Sequence, residues 1–126
     1  MKKRCVVVED EFLISCFVSQ VLKENGFIVE KVEETEMEGK KAILEVRPDF
    51  VVVDKNLKGS GCGLRMADSC RAQLNIPYFF ISGSSAIEMN HLTQKGYPTL
   101  AKPFDEVELL SFIKTELLKR ETGKGI

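Results

Sequence analysis

Short apolar runs alternate with longer segments of helical spacing along the chain, and the alternation recurs five times. Residues 5–8 read as a first strand, bounded by charge on both sides. Over 12–25, apolar residues fall at 13, 14, 17, 18, 21 and 22, the stripe of a 3.6-residue helix. Asn25-Gly26 supplies its stop. Residues 27–32 predict a second strand. Residues 36–46 predict a second helix, with Met37, Ala42, Ile43 and Val46 inward, and Pro48 ends it because helical backbone before a proline is disfavoured. Residues 50–53 are apolar without alternation, as in a strand covered on both faces. A third helix over 62–74 turns Leu64, Ala67, Cys70 and Leu74 inward, and 77–81 predicts a fourth strand. The helical pattern over 84–95 is the faintest of the five. Residues 99–101 predict a short fifth strand. A final helix over 107–118 follows, with apolar positions 107, 109, 110, 113, 117 and 118.

Strands alternating with helices imply an α/β domain, a parallel sheet covered on both faces through right-handed crossovers. For five such units the usual solution is the flavodoxin-like, doubly wound (βα)5 fold with strand order 2-1-3-4-5. Its crevice lies at the carboxyl ends of strands one and three, where the order reverses. Residues 1–120 form the expected domain, and 121–126 a polar tail that frays.

Composition removes several function classes. The 126 residues suit one domain with its own core. A formal net charge of −1 offers no broad basic field for nucleic acid. No apolar run approaches the ~20 residues of a membrane span, and the run after "MKKR" is too short for a signal peptide, so a cytoplasmic location is expected. The four cysteines form no CxxC pair and there is one histidine, so zinc spacing is absent. The thiols read as reduced, mostly small core residues, and His91 as a solvated surface side chain.

The strand ends carry the chemistry. The first ends in Glu9, Asp10 and Glu11, the third in Asp54, the fourth in Ser82 and Gly83, the fifth in Lys102 and Pro103. Each has an ordinary reading: a solvated acidic turn, a strand stop, a loop, a turn. A parallel sheet, however, brings all four ends to one edge. Clustered carboxylates repel, and an unpaired buried one is costly. Lys102 balances one charge; a hard divalent ion with oxygen ligands, best Mg²⁺, suits the rest. Carboxylate, metal, amine and hydroxyl around an open position describe a phosphoryl site, in which an aspartate can be the nucleophile.

These residues, in the order "CVVVEDE", "VVVDKNL", "FFISG" and "LAKPF", resemble a response-regulator receiver domain of bacterial two-component signalling over nearly the whole chain. The resemblance implies that Asp54 takes a phosphoryl group from a histidine kinase or a histidine phosphotransfer protein. Asp10 and Asp54 would ligate Mg²⁺ directly, Asn56 through its backbone carbonyl, and Glu9 through bound water. Ser82 matches the hydroxyl that turns toward the phosphoryl group, Gly83 the small residue beside it, and Lys102 the conserved-type lysine, with a cis bond to Pro103. Three positions depart from the pattern. Lys58 stands where proline is usual, the loop "KGSGCG" is one residue longer, and Thr99 replaces the switch aromatic; Tyr97 is a poor substitute for it. Lys55 is an unusual charge beside the nucleophile.

The implied function is a stand-alone receiver that is no enzyme with a separate substrate. Phosphorylation would change the face of the fifth strand and its flanking helices and so the affinity for a downstream protein target. The length leaves no room for a DNA-binding module, and the "MKKR" start argues against an N-terminal cut. A haloacid-dehalogenase-like phosphatase is the competing enzyme reading; Asp54-Lys55-Asn56 lacks its second aspartate. A non-phosphorylated interaction module on the same fold is the third reading. FMN binding is disfavoured, as no phosphate-cradling loop follows the first strand.

Overall fold

The short apolar runs form the strands: β1 (Arg4–Val8), β2 (Ile28–Glu33), β3 (Phe50–Asp54), β4 (Tyr78–Ser82) and β5 (Thr99–Ala101). All neighbours are parallel, in the expected order β2-β1-β3-β4-β5. Between and after them run α1 (Phe12–Glu24), α2 (Glu36–Val46), α3 (Gly63–Arg71), α4 (Ala86–Gln94) and α5 (Glu106–Lys124). The computed structural model describes residues 2–83 and 85–124, and the side chains of these up to residue 122. Ser84, and residues 125–126 of the expected tail, lie outside the described residues. No described helix is long and apolar enough to cross a membrane.

Alternation along the buried strands splits the core in two. Val6, Val8, Val51, Val53, Tyr78 and Phe80 pack against α2 and α3, whereas Cys5, Val7, Phe50, Val52, Phe79 and Ile81 pack against α1 and α5. This is why residues 50–53 read as one apolar run: both faces are covered, and every residue of β3 is buried. Cys5 and Cys70 are core thiols as expected, but Cys16 is exposed and Cys62 half-buried; all four are free.

The helix boundaries follow local chemistry. Asn25 and Gly26, the latter at φ +90, end α1. Thr35 caps α2 by accepting from the Glu38 amide (3.1 Å), and Asp105 caps α5, its Oδ1 accepting from the Glu108 amide (2.8 Å) while Glu108 Oε1 accepts from the Asp105 amide (3.1 Å). That capping box starts α5 one residue before the periodic stripe, and the helix continues past Leu118 to Lys124.

The predicted inward stripes are wider than the surfaces that cover them. On α1, Val18, Val21 and Leu22 are buried together with Ser15 and Ser19. Leu13 is 81% exposed and Phe17 39% exposed. Met37, Val107 and Leu118 are also exposed. Helical spacing sets which residues share a face, whereas the width of the surface packed against that face sets how many of them are buried.

Glu36 at the start of α2 ties down the glycine-rich loop. Its carboxylate accepts from Arg65 Nε (2.7 Å) and Nη2 (2.6 Å) and from the Cys62 amide (3.0 Å). The paired Arg65 guanidinium holds the Glu36 carboxyl well below its ordinary 4.5, at about 2. A depressed folded-state value means stability that is fully present above about 4.5 and is lost as pH falls toward 2. Glu36→Gln is therefore expected to lower the urea midpoint at neutral pH, with the gap to the parent closing over that acid window.

Candidate functional site

The carboxyl ends of β1, β3, β4 and β5 share one edge of the sheet. Strand β1 ends buried, and the next residue, Glu9, is fully buried, its amide donating to the Glu33 carbonyl (2.9 Å). Asp54 closes β3 at 5% exposure and Ser82 closes β4 at 1%. Lys102 follows β5; its amide donates to the Ser82 carbonyl (2.8 Å), and its bond to Pro103 is cis. The parallel register sets these heights, since β3 runs beside β1 and β4 runs beside both β3 and β5.

Lys102 is the hub. Its Nζ lies 3.2 Å from Asp54 Oδ2, 3.3 Å from Glu11 Oε1 and 2.9 Å from Glu9 Oε1. The first two are hydrogen bonds; the third is close enough for an ion pair but lacks hydrogen-bond geometry, so Glu9 Oε1 is buried with no hydrogen-bond partner. Glu9 Oε2 accepts from the Glu11 amide (3.1 Å). Burial, with the Asp54 charge adding to it, pushes the Glu9 carboxyl up to about 7 against the pull of Lys102 and the Glu11 amide. Burial works against the Lys102 ammonium, yet Glu9 and Asp54 together hold it above its ordinary value.

Asp54 faces a cavity of about 500 Å³ whose walls include Asp10, Glu11, Asn56, Gly83, Glu88 and Lys102. The Asn56 amide donates to Asp54 Oδ1 (3.4 Å). Oxygens of Glu9, Glu11 and Asp54 all lie within 4.8 Å of one another. Three carboxylates against one ammonium, with a buried Glu9 oxygen that has an ion pair but no hydrogen bond, fit a hard cation. Asp10 and Glu11 both stand on the cavity wall, and of the two Glu11 belongs to that trio.

The structure thus gathers Glu9, Asp10, Asp54, Asn56, Ser82 and Lys102 at one edge, as their strand-end positions require. Two further residues stand at this edge without an expected ligand role. Glu11 belongs to the acidic end of the first strand, as the sequence places it. Glu88 was missed because the pattern of α4 is faint; the signal was Ser85-Ala-Ile-Glu88, a capping sequence, and the Glu88 amide donates to Ser85 Oγ (3.3 Å). His91 is exposed, as expected.

The loop after Asp54 closes on itself. Asn56 pairs with Cys62, Leu57 N donates to the Gly61 carbonyl (3.1 Å), and Leu57 is buried beneath. Lys58 points outward to Glu34 (3.4 Å). At β5, Thr99 Oγ1 donates to the Tyr97 carbonyl (3.1 Å). Tyr97 is buried before the strand, not after it, its hydroxyl donating to Asp68 Oδ1 (2.5 Å) and its ring under the Arg71 guanidinium (4.7 Å). Burial and that bond to Asp68 push the phenol up to about 12.

The family model of the response regulator receiver domain matches residues 5–114. Among solved structures, the signal receiver domain of a modulated diguanylate cyclase from Desulfovibrio desulfuricans G20 is 26% identical at a TM-score of 0.84, over 98% of this chain and 99% of that one. A CheY-like response regulator receiver domain protein from Methanospirillum hungatei JF-1 is 21% identical at 0.85, over 98% and 99%. The response regulator PhyR from Brucella abortus is 22% identical at 0.87, over 98% of this chain and 51% of its own. The last two share the fold. No curated protein sequence matches the chain.

Proposed function

The chain belongs to the response regulator receiver domain family, a family of signalling domains, and from that premise we propose that it is a phosphoacceptor whose state is written on Asp54. The observation that carries this reading is the placement of Asp54: buried at the sheet edge, open to a cavity, and 3.2 Å from the Lys102 ammonium. A carboxylate oxygen of Asp54 attacks the phosphorus of a phosphohistidine on a kinase or phosphotransfer protein; the P–N bond breaks and the imidazole leaves. Lys102 then lies where charge gathers on the phosphoryl oxygens. Ser82, at the same edge, offers a hydroxyl to the product.

The acidic residues would hold Mg²⁺: Asp10, Asp54 and the Asn56 carbonyl directly, Glu9 through water, with Glu11 adjoining. When bound, the ion neutralises phosphoryl charge. Output is contact with a downstream protein target in the cytoplasm, without direct nucleic-acid binding.

Treatment with acetyl phosphate and Mg²⁺ is expected to add a single phosphoryl group, read by intact mass, and Asp54→Asn is expected to add none. A mass unchanged with every donor would leave a non-phosphorylated interaction module as the better reading.

A further inference from the structure

Lys55 was singled out by its sequence and has no part in the chemistry above. In the structure its Nζ lies 3.1 Å from Glu88 Oε2, with side-chain exposures of 20% and 49%. The pair joins the residue directly after the phosphoacceptor to the first turn of α4. Glu88 also lines the cavity that Asp54 faces.

Helix α4 is held lightly. Leu92 is its one buried side chain among the described residues, and Ile87 is 83% exposed. Its N-terminal turn is fastened by the Ser85 cap and by Lys55. At the other end of the helix, the Tyr97 amide donates to the Leu92 carbonyl (3.0 Å), and Tyr97 is itself held by Asp68, Arg71 and Phe80.

We propose that the Lys55–Glu88 ion pair is the charge-sensitive tether through which phosphorylation of Asp54 loosens the first turn of α4. The proposal rests on the phosphoacceptor reading. Phosphorylation turns the Asp54 carboxylate, with one negative charge, into an acyl phosphate with up to about two, a net gain of about one negative charge in the cavity. That charge repels the Glu88 carboxylate and attracts the Lys55 ammonium, so both halves of the pair are drawn out of the resting arrangement together. A partly exposed pair of this kind is worth a shift of roughly two- to five-fold in a local opening equilibrium. For a helix with one buried anchor, that is enough to be read.

The test is hydrogen–deuterium exchange over residues 86–94 in the full chain, for the parent, Lys55→Met and Glu88→Gln, each unmodified and as the beryllofluoride adduct with Mg²⁺. The parent is expected to exchange faster in α4 on forming the adduct. Both variants are expected to exchange about two- to five-fold faster before it, with little further change after. Variants that match the unmodified parent, or that respond to beryllofluoride as fully as it does, overturn the tether. Intact mass after acetyl phosphate separates the two levels. A phosphoryl adduct on the parent with an unmoved α4 overturns the tether alone, whereas a parent that takes no phosphoryl group from any donor overturns the phosphoacceptor reading and the tether with it.

Discussion

Lys102→Met is expected to destabilise the metal-free protein by about 2–3 kcal/mol at neutral pH, and to slow phosphoryl incorporation on the order of a hundredfold. The stability loss follows from what the ammonium faces. Glu9 and Asp54 are buried, Lys102 is itself only 14% exposed, and its Nζ is within 3.3 Å of all three carboxylates it touches. Removing one partner of a buried ionic cluster leaves the others uncompensated. The loss stays at the low end because Glu9, at about 7, takes up a proton readily and relieves part of the repulsion. The same property fixes the sign of the pH dependence: as pH falls through about 7, Glu9 takes up a proton, its attraction to Lys102 disappears, and the gap between variant and parent narrows. Urea unfolding at pH 7.5 and pH 5 measures both. Mg²⁺ is expected to raise the midpoint of Lys102→Met more than that of the parent, since a divalent charge replaces the missing one. Equal urea midpoints for parent and variant at pH 7.5 without divalent ions would mean that Lys102 does not balance these carboxylates.

Gly63→Ala is expected to be the most damaging small substitution in the chain, at about 3 kcal/mol. A Cβ at Gly63 would overlap the backbone carbonyl oxygen of Asp54 and stand 2.9 Å from Val53 Cγ2. Neither neighbour can yield cheaply. The Gly63 amide already donates to the Lys55 carbonyl (2.6 Å), and Val53 belongs to the core. Relief must come from the end of β3, which carries Asp54, so phosphorylation is expected to slow along with the loss of stability. Gly59 has open space around it, but its φ of +69 still makes a side chain there a strained one. Urea denaturation checks the first effect and the rate of acetyl-phosphate labelling the second; a Gly63→Ala protein as stable as the parent would show that the loop gives way elsewhere.

Much of this was legible in the chain. The continuous apolar run before Asp54 marks a strand covered on both faces, and five such units fix a parallel sheet and its crevice. Glu9, Asp10, Asp54, Ser82 and Lys102 could be placed at one edge without coordinates, because a parallel sheet puts every strand end on the same side. Less was legible where a residue's role depends on what covers it. Leu13 and Phe17 have the spacing of core residues and are exposed, because the stripe records periodicity but not the width of the surface beneath. Glu88 and Lys55 lie 33 positions apart, and no spacing rule links them.

What the sequence determined by itself is the order of elements, the sheet and the set of chemical groups at its edge, since these follow from periodicity and from the handedness of crossovers. What only the tertiary structure decided is which of those groups touch. Three carboxylates on one lysine, Glu11 drawn into the cluster beside Glu9, Tyr97 locked away from the site and Lys55 fastened to α4 are all settled by distances of a few ångströms between residues remote in the chain. Side-chain electrostatics and packing fall off over such distances, so they are fixed by the folded geometry and leave no periodic trace in the sequence.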